Sequence, residues 1–539
     1  MIKHWHILVL FTLLWFGALF FTGTLTSGFH LTDDHDLISL KKDLATTTVS
    51  REVNGFLSEL FGSKLRFRPF YAVSRRAVGA VLGTDFFAWS VYTGILAVLT
   101  SFFLFLFTRT IGFSLLESLF FVGFTLIGEQ AAIWWKLGAN ETPGMVMLAL
   151  TLLVMAQSAR LQAHPQMSSR AKRILFEILF IFFAILTSWC KESFVLILPA
   201  LVFWKIELTY AYSEIPTLTR WQAVRKNTVT GMILLSVCAW ELIHIYRAVT
   251  MTKIRYSGES GFNVEKLMKT SAHAVKATGG WVIVILLVVV GIIAFRTKIK
   301  DKKEKKDKMV RLGFALILAG LITGPQVLLY TRSGIDERYL LPAALGISFF
   351  TITLMKFIRE HRVNAKKIYA VLLVVLLAAV LLNQLRITRY TAIGFAREGL
   401  HTQAWLQSID QHTAANDLLL VISDPIKDME NASSLRTYMD SEMKRPHLFF
   451  CPPNLDTVHD TNRRFWKDLN GELDSGFASF SPLNPEERNR VSAILIFPKL
   501  ERKFLKSSAS YFNLNQFQRY TNDFGFVGYY KNYKNNIYK

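Results

Sequence analysis

The stretch ILVLFTLLWFGALFF (7–21) decides the fold class, because an apolar run of this length is typical of a helix that crosses a bilayer. A cleaved signal peptide has a shorter apolar core and a small-residue cleavage site, and the following GTLTSGFH (23–30) does not fit one. We therefore predict an uncleaved first span over 5–23, with the few residues before it in the cytoplasm.

Similar apolar bands recur along the 539 residues, 51% of which are hydrophobic. The pattern predicts a polytopic α-helical membrane protein with about 11 transmembrane helices, a number made uncertain by the narrow gap at WCKES (189–193). The candidate spans lie near 5–23, 86–108, 112–130, 142–158, 174–189, 193–206, 229–249, 280–295, 312–330, 339–356 and 368–387.

The formal net charge of +22 is explained by the loops between these spans. With the N-terminus inside, every predicted cytoplasmic connection carries Lys or Arg, which is the pattern that sets membrane orientation. We therefore expect membrane lipids, and no nucleic acid, as partners of the basic residues. The compact loops and the modest outer domain favour the bacterial inner membrane over the endoplasmic reticulum. The cytoplasmic connections are 109–111, 159–173, 207–228, 296–311 and 357–367.

The tail differs from the rest of the chain, because its apolar bands shrink to strand length. Such bands occur at 418–423, 447–451, 492–498 and 525–530, with helix-like stretches between them. We predict a transmembrane domain over 1–390, including a long extracytoplasmic first loop (24–85), and a small extracytoplasmic α/β domain over 391–539. The tail contains no phosphate-binding loop or nucleophile elbow, and the chain's three cysteines are too scattered for a disulfide framework or a zinc site.

Five polar groups are predicted at the outer ends of spans. Ionisable groups at that depth are costly without water or partners, so their coincidence on one side predicts a hydrated cavity that opens outward. The groups are Asp33, Asp34 and Asp36; RFRPF (66–70); a segment with Glu129, Trp134, Trp135 and Lys136; CKES (190–193) with Lys191 and Glu192; and DERYLLP (336–342) with Glu337, Arg338 and Tyr339.

This mixture of residues is suited to a lipid-linked sugar donor. A carboxylate can act as general base toward a hydroxyl acceptor, and cations hold a phosphate through charge-assisted hydrogen bonds. The two tryptophans either stack on a sugar ring or anchor the span at the interface. We expect such a site to need a base and a phosphate clamp but no nucleotide pocket.

The same residues resemble motifs of the GT-C class of membrane glycosyltransferases, in its protein O-mannosyltransferase-like branch. The shared features are one span followed by the acidic pair Asp33-Asp34, the Arg-Pro motif FRPF (67–70), the pair Lys191-Glu192, and Glu337-Arg338-Tyr339 followed by Pro342. The likeness covers roughly residues 1–390. The acidic pair is Asp-Asp where many relatives have Asp-Glu, and the tail lacks a tetratricopeptide pattern.

The resemblance implies an inverting glycosyltransferase that uses a polyprenyl-phosphate sugar donor. It implies that Asp33 or Asp34 is the catalytic base and that Arg66 or Arg68, Lys191, Arg338 and Tyr339 lie at the donor phosphate. Asp36, Glu129, Trp134, Trp135, Lys136, Glu192 and Glu337 are then expected to line the substrate cavity. No cofactor is required; a divalent metal near Asp34-His35-Asp36 is an alternative that we do not favour, since the cations can neutralise the donor charge.

Three other functions stay open at this stage. A transporter or flippase of lipid-linked saccharides would show broken helices near the midplane and internal repeats, which the sequence lacks. A non-catalytic membrane subunit could carry the same acidic loop, and a polysaccharide polymerase or ligase would use a lipid diphosphate donor. The sequence identifies neither the sugar nor the acceptor, which is a protein, a lipid or a glycan.

Overall fold

In the computed structural model, the chain divides into two compact units. The helical unit comprises Met1–Leu19, Val53–Arg75 and Tyr92–Ala392, and the sheet unit comprises Phe20–Glu52, Arg76–Val91 and Ile393–Lys539. The residues that the structure describes are 4–32, 34–46, 48–61, 67–164, 166, 168–212, 219–251, 264–277, 279–281, 283–288, 302–333, 340–360, 366–424, 427–445, 447–454, 488–508 and 511–531.

The division falls at residue 392/393 and also runs through the first loop, and the predicted domain boundaries stay a prediction. Much of 24–85 clusters with the C-terminal residues in the sheet unit. Only the part around Val53–Arg75 clusters with the helices of the helical unit. The acidic loop therefore belongs structurally with the tail, although more than 350 residues separate them in the sequence.

Among the described residues before residue 413, helices account for nearly all of the regular structure. In chain order they are α1 (His4–Thr22), α2 (His35–Thr46), α3 (Val49–Phe61), α4 (Pro69–Leu82), α5 (Phe86–Thr110), α6 (Leu115–Leu126), α7 (Glu141–Ala163), α8 (Arg170–Ser188), α9 (Glu192–Val195), α10 (Leu198–Ala211), α11 (Arg220–Met251), α12 (Val264–Ala277), α13 (Lys302–Ser333), α14 (Leu341–Glu360) and α15 (Lys366–His412). Short 3-10 turns occur at Thr24–Thr26 and Glu129–Trp134.

Within the described residues, seven helices are long and apolar enough to cross a membrane. This finding supports the predicted multi-pass character, whereas the number of about 11 spans stays a prediction. The predicted span at 112–130 corresponds to a helix of only 12 residues, α6, and much of the span at 280–295 lies outside the described residues. The seven are His4–Thr22, Phe86–Thr110, Glu141–Ala163, Glu192–Ala211, Arg220–Arg247, Met309–Leu328 and Leu341–Glu360.

Large aromatic and small residues alternate in the interior of the helical unit. The ring of Trp204 on α10 packs 4.4 Å from Phe349 on α14 and 5.1 Å from Phe107 on α5, measured between centroids. Gly346 on α14 faces α13 so closely that an added Cβ would lie 3.1 Å from the carbonyl oxygen of Ala319. Small residues at such crossings let apolar helices approach and gain van der Waals contact.

A polar cluster also joins four of these helices. The carboxylate of Glu177 on α8 accepts hydrogen bonds from Ser158 Oγ (2.6 Å) and Gln162 Nε2 (2.8 Å), both on α7. It accepts two more from Lys205 on α10 and Thr230 on α11. With four donors around one carboxylate, the ionised group is well compensated inside an apolar bundle.

The sheet unit contains a mixed five-stranded sheet in the order β2-β1-β3-β5-β4. Its elements are β1 (Leu418–Ile422), α16 (Met429–Ser441), β2 (Leu448–Cys451), β3 (Val491–Ile496), α17 (Glu501–Ser508), β4 (Phe517–Thr521) and β5 (Val527–Lys531). β1 pairs in parallel with β2 and β3, and β5 pairs antiparallel with β3 and β4. β1, α16 and β2 form a βαβ unit at the start of this sheet.

The central strands are buried along their whole length, as expected for parallel strands covered on both faces. This burial explains why four of the five strands are visible in the sequence as short continuous apolar runs. The fifth, β4 with the sequence FQRYT, was not predicted. It lies at the sheet edge and is mostly exposed, so it needs no apolar run.

Candidate functional site

Two ion pairs in the helical unit meet at the break between α8 and α9. Lys191 caps α9 in an extended conformation, and its ammonium group is paired with the carboxylate of Glu141, the first residue of α7. The next residue, Glu192, accepts hydrogen bonds from Arg68 Nε (3.0 Å) and Nη2 (2.6 Å). Two of the cations predicted for the donor phosphate, Arg68 and Lys191, are thus each neutralised by a carboxylate.

All four charged residues of these ion pairs lie at helix ends. The Arg-Pro motif ends the first loop: Arg68 precedes Pro69, which starts α4 at the position where proline is best tolerated in a helix. The backbone N–H of Tyr71 donates to the carbonyl of Trp189 at 3.4 Å, which fixes the start of α4 to the end of α8. The Tyr71 hydroxyl donates to the carbonyl of Gly138 (2.8 Å) and accepts from Arg75 (2.6 Å).

Aromatic and acidic groups surround the same helix ends. Phe67 is buried, and its ring packs against Trp240 (5.1 Å) and His244 (5.3 Å) of α11. One turn before His244, the fully buried Glu241 accepts a hydrogen bond from Ser188 Oγ at 2.8 Å. The arrangement holds the 188–192 break between α11 and the Arg-Pro motif.

The other predicted cavity residues of the helical unit occupy a separate turn before α7. Trp134 and Trp135 are buried, and the ring of Trp134 lies 5.4 Å from that of Trp15. Their burial does not fit the role of an interface anchor, which requires exposure to lipid headgroups. Glu129 lies 3.5 Å from His273 Nε2, and Lys136 is half-buried.

The acidic loop is part of the sheet unit, and Asp34 is almost fully buried there (1% exposed). Its Oδ2 accepts a hydrogen bond from the backbone N–H of His30 at 2.8 Å and lies 3.2 Å from the ring Nδ1 of the same residue. Asp36, in the first turn of α2, is exposed and lies 3.5 Å from His35 Nε2. The loop thus holds one fixed carboxylate and one exposed carboxylate close together.

Several predicted site residues lie outside the described residues: Asp33, Arg66, Glu337, Arg338 and Tyr339. Their assigned roles therefore stay predictions. Among the residues that the structure does describe, no group of three or more His, Cys, Asp or Glu is arranged to hold a metal ion. The Asp34 oxygen Oδ2 instead contacts the backbone N–H and the ring Nδ1 of His30.

Sequence reasoning did not name Glu141 or Tyr71 as site residues. Glu141 lies 50 residues from Lys191, and no periodicity connects the two. The sequence does place His30 only four residues from Asp34, where a histidine can tune a carboxylate or bind a metal.

No protein-family model and no curated protein sequence matches the chain. Among solved structures, it is similar to the crystal structure of the Archaeoglobus fulgidus oligosaccharyltransferase in complex with Zn and sulfate, with a TM-score of 0.35 and 10% identity. The match covers 87% of this chain, which spans 65% of the length of that protein. A similarity of this size does not assign the chain to a family, so functional inference rests on the residues.

Proposed function

We propose that the chain is an inverting glycosyltransferase that moves a sugar from a polyprenyl-phosphate donor to an acceptor on the extracytoplasmic face. The observation that carries the proposal is the pairing of Arg68 with Glu192 and of Lys191 with Glu141 at adjoining helix ends. The predicted motifs FRPF and Lys-Glu, which are 124 residues apart, are in direct contact through Arg68 and Glu192. The proposed setting is a multi-pass protein of the bacterial inner membrane.

In the proposed reaction, a first-loop aspartate, Asp33 or Asp34, takes the proton of the acceptor hydroxyl. The acceptor oxygen attacks the anomeric carbon from the face opposite the phosphate, and the bond between that carbon and the phosphate oxygen breaks with its electron pair leaving on the phosphate. Arg68, Lys191 and the predicted Arg338 would stabilise the negative charge on the departing phosphate. No further group is needed to balance protons or electrons, and we favour a reaction without a metal.

The ion pairs also give a reason why these cations are tolerated without a donor. An isolated ammonium or guanidinium away from water is costly, whereas a cation paired with a carboxylate is tolerated. A phosphate that arrives can then compete with Glu141 and Glu192 for the same donors. Arg68 offers a planar fork of N–H groups that suits phosphate oxygens.

The proposal is tested with purified protein in proteoliposomes and a panel of radiolabelled polyprenyl-phosphate hexoses. Asp33→Asn and Asp34→Asn remove the carboxylate without changing side-chain volume, and we expect one of them to abolish the release of label from the lipid. The matched control is Asp43→Asn, an exposed carboxylate on α2, which keeps wild-type transfer. Full activity in both single variants and in the double variant would contradict the base assignment.

A transporter and a non-catalytic subunit are separated from the transferase by the same vesicles. Movement of labelled lipid between leaflets without a new product bond would favour the transporter. If neither transfer nor movement occurs with any donor in the panel, the subunit is the better description.

A further inference from the structure

The acidic loop lies against one face of α15 within the sheet unit. Phe395, Gly399 and Gln403 are spaced four residues apart, so they form one stripe along the helix. A Cβ on Gly399 would overlap the carbonyl oxygen of Ser27 and lie 2.6 Å from His30 Nε2. Gly28 has a positive φ of 74°, and a Cβ there would overlap the Gln403 side chain. The loop and α15 therefore pack closely at Gly28 and Gly399, where an added Cβ would overlap a neighbouring residue.

The same loop also contacts α16. Thr32 Oγ1 donates to Asn431 Oδ1 at 3.1 Å, and the ring of Phe29 lies 4.3 Å from that of Tyr438. Phe29 is fully buried and belongs to the hydrophobic core that contains β1 and β3. The loop before Asp34 is thus fixed by residues of both α15 and α16.

His30 is the residue through which this packing reaches Asp34. It is fully buried (0% exposed), and its ring stacks on Phe395 with 3.8 Å between centroids. Its Nε2 lies 3.1 Å from the Phe395 carbonyl oxygen, and its Nδ1 lies 3.2 Å from Asp34 Oδ2. Both ring nitrogens therefore face oxygens.

The two ring nitrogens face different partners. The Phe395 carbonyl oxygen only accepts, so it can take a hydrogen bond from Nε2, whereas Nδ1 faces the Asp34 carboxyl group. The ring therefore bridges the α15 backbone and Asp34, whose Oδ2 also accepts from the His30 backbone N–H.

We propose that His30 is a positioning residue whose imidazole fixes the Asp34 carboxyl against the Phe395–Gly399 face of α15. The tail thereby sets the orientation of the Asp34 carboxyl group, which is a role for the C-terminal residues that the sequence did not reveal. This inference rests on the proposed function. The orientation of a reacting carboxylate, or of its direct neighbour, strongly affects the rate, because small misplacements are costly.

Two isosteric substitutions separate positioning from simple packing. His30→Asn keeps an N–H donor near the place of Nδ1 and loses the bond to Phe395. His30→Gln keeps a donor near the place of Nε2 and loses the bond to Asp34. We expect His30→Gln to lower kcat about 10- to 100-fold with little change in KM for the donor, and His30→Asn to retain most of the activity.

A structural role would give a different pattern. Equal losses in the two variants, or losses that follow the thermal unfolding midpoint, would overturn the positioning role. So would a rise in KM with unchanged kcat, because the proposal places His30 behind the base and not at the donor.

A second measurement does not depend on sugar transfer. Carbodiimide labelling in the presence of an amine, read by mass spectrometry, compares the reactivity of Asp34 with that of the exposed Asp43. We expect Asp34 to be protected in the wild type and in His30→Asn, and labelled in His30→Gln. Equal labelling of both aspartates in the wild-type protein would overturn the contact itself.

The two measurements distinguish the failure of this inference from that of the proposed function. A wild-type protein that transfers no hexose from the panel contradicts the proposed function and, with it, the effect of His30 on the rate. The labelling pattern still decides whether His30 fixes Asp34. If the wild-type protein is active and the variants His30→Asn and His30→Gln do not differ from each other in transfer rate or labelling, only the role of His30 is contradicted.

Discussion

Two groups of buried ion pairs in the helical unit differ in where they sit along the helices. Glu177 and Lys205 lie within α8 and α10, and the carboxylate gains further donors from α7 and α11. Lys191 and Glu192, in contrast, lie at the break between two helices, and their partners are at helix ends. The first group joins regular helices into a bundle, whereas the second joins helix ends around a break in the backbone.

The largest effect is expected for the cluster inside the bundle. Lys205→Met leaves the Glu177 carboxylate without its cation, and removal of one partner of a buried pair costs about 3–5 kcal/mol. We expect a strongly lowered thermal unfolding midpoint in detergent. The double variant Lys205→Met/Glu177→Gln removes both charges and should recover much of the loss. A double variant as unstable as the single one would contradict this account.

A smaller effect on stability, but a larger one on function, is expected at the helix ends. Lys191→Met leaves Glu141 in the first turn of α7, where the helix N-terminus itself stabilises a negative charge. We therefore expect a smaller drop in the unfolding midpoint than for Lys205→Met, together with weaker binding of the polyprenyl-phosphate donor.

Donor binding to detergent-solubilised protein is the measurement for Lys191→Met. Lys172→Met, which removes an exposed lysine at the start of α8, is the matched control and should bind the donor normally. The comparison breaks down if Lys191→Met destabilises the protein more than Lys205→Met while donor binding is unchanged.

The smallest effect is expected for an exposed pair in the sheet unit. Hydrogen bonds from Arg519 to Glu501, at 2.7 Å and 2.8 Å, hold the pKa of this carboxyl below its usual value, and Tyr529 adds a third at 2.7 Å. A lowered pKa in the folded state means that the pair stabilises above the unfolded pKa, and that this contribution is lost as pH falls through the lowered value.

We expect Glu501→Gln to destabilise the edge of the sheet by at most about 1 kcal/mol near neutral pH, with no difference from wild type in acid. Hydrogen–deuterium exchange of the β4 amides, compared between the two proteins at each pH, measures the change. A difference that grows on acidification would have the wrong sign for this explanation.

The sequence allowed the regular elements to be predicted where burial leaves a continuous apolar run. This holds for the long apolar helices such as α5 and α7 and for β1, β2, β3 and β5. It failed for β4, whose exposed edge position permits FQRYT. Apolar runs alone did not give the number of spans, because α6 has only 12 residues. The presence of Glu177 in the apolar helix α8 is explained by its hydrogen-bond partners, which the sequence does not reveal.

For the candidate site, the sequence predicted which charged residues take part but not which residues pair with each other. Arg68 and Lys191 were singled out as cations, yet their partners Glu192 and Glu141 are 124 and 50 residues away. No local pattern encodes such pairs, since they arise only when helices pack. The same holds for His30, whose link to Asp34 is local but whose link to Phe395 is not.

The docking of the early loop on α15 has a consequence for the order of synthesis. His30 and Phe395 are separated by 365 residues, and ribosomes add about 5–20 residues per second. The loop therefore waits for roughly 20–70 s before its docking partner exists. During that interval His30 has its neighbour Asp34 but not the Phe395 carbonyl, so we expect the Asp34 carboxyl group to take its final orientation only once translation has passed α15.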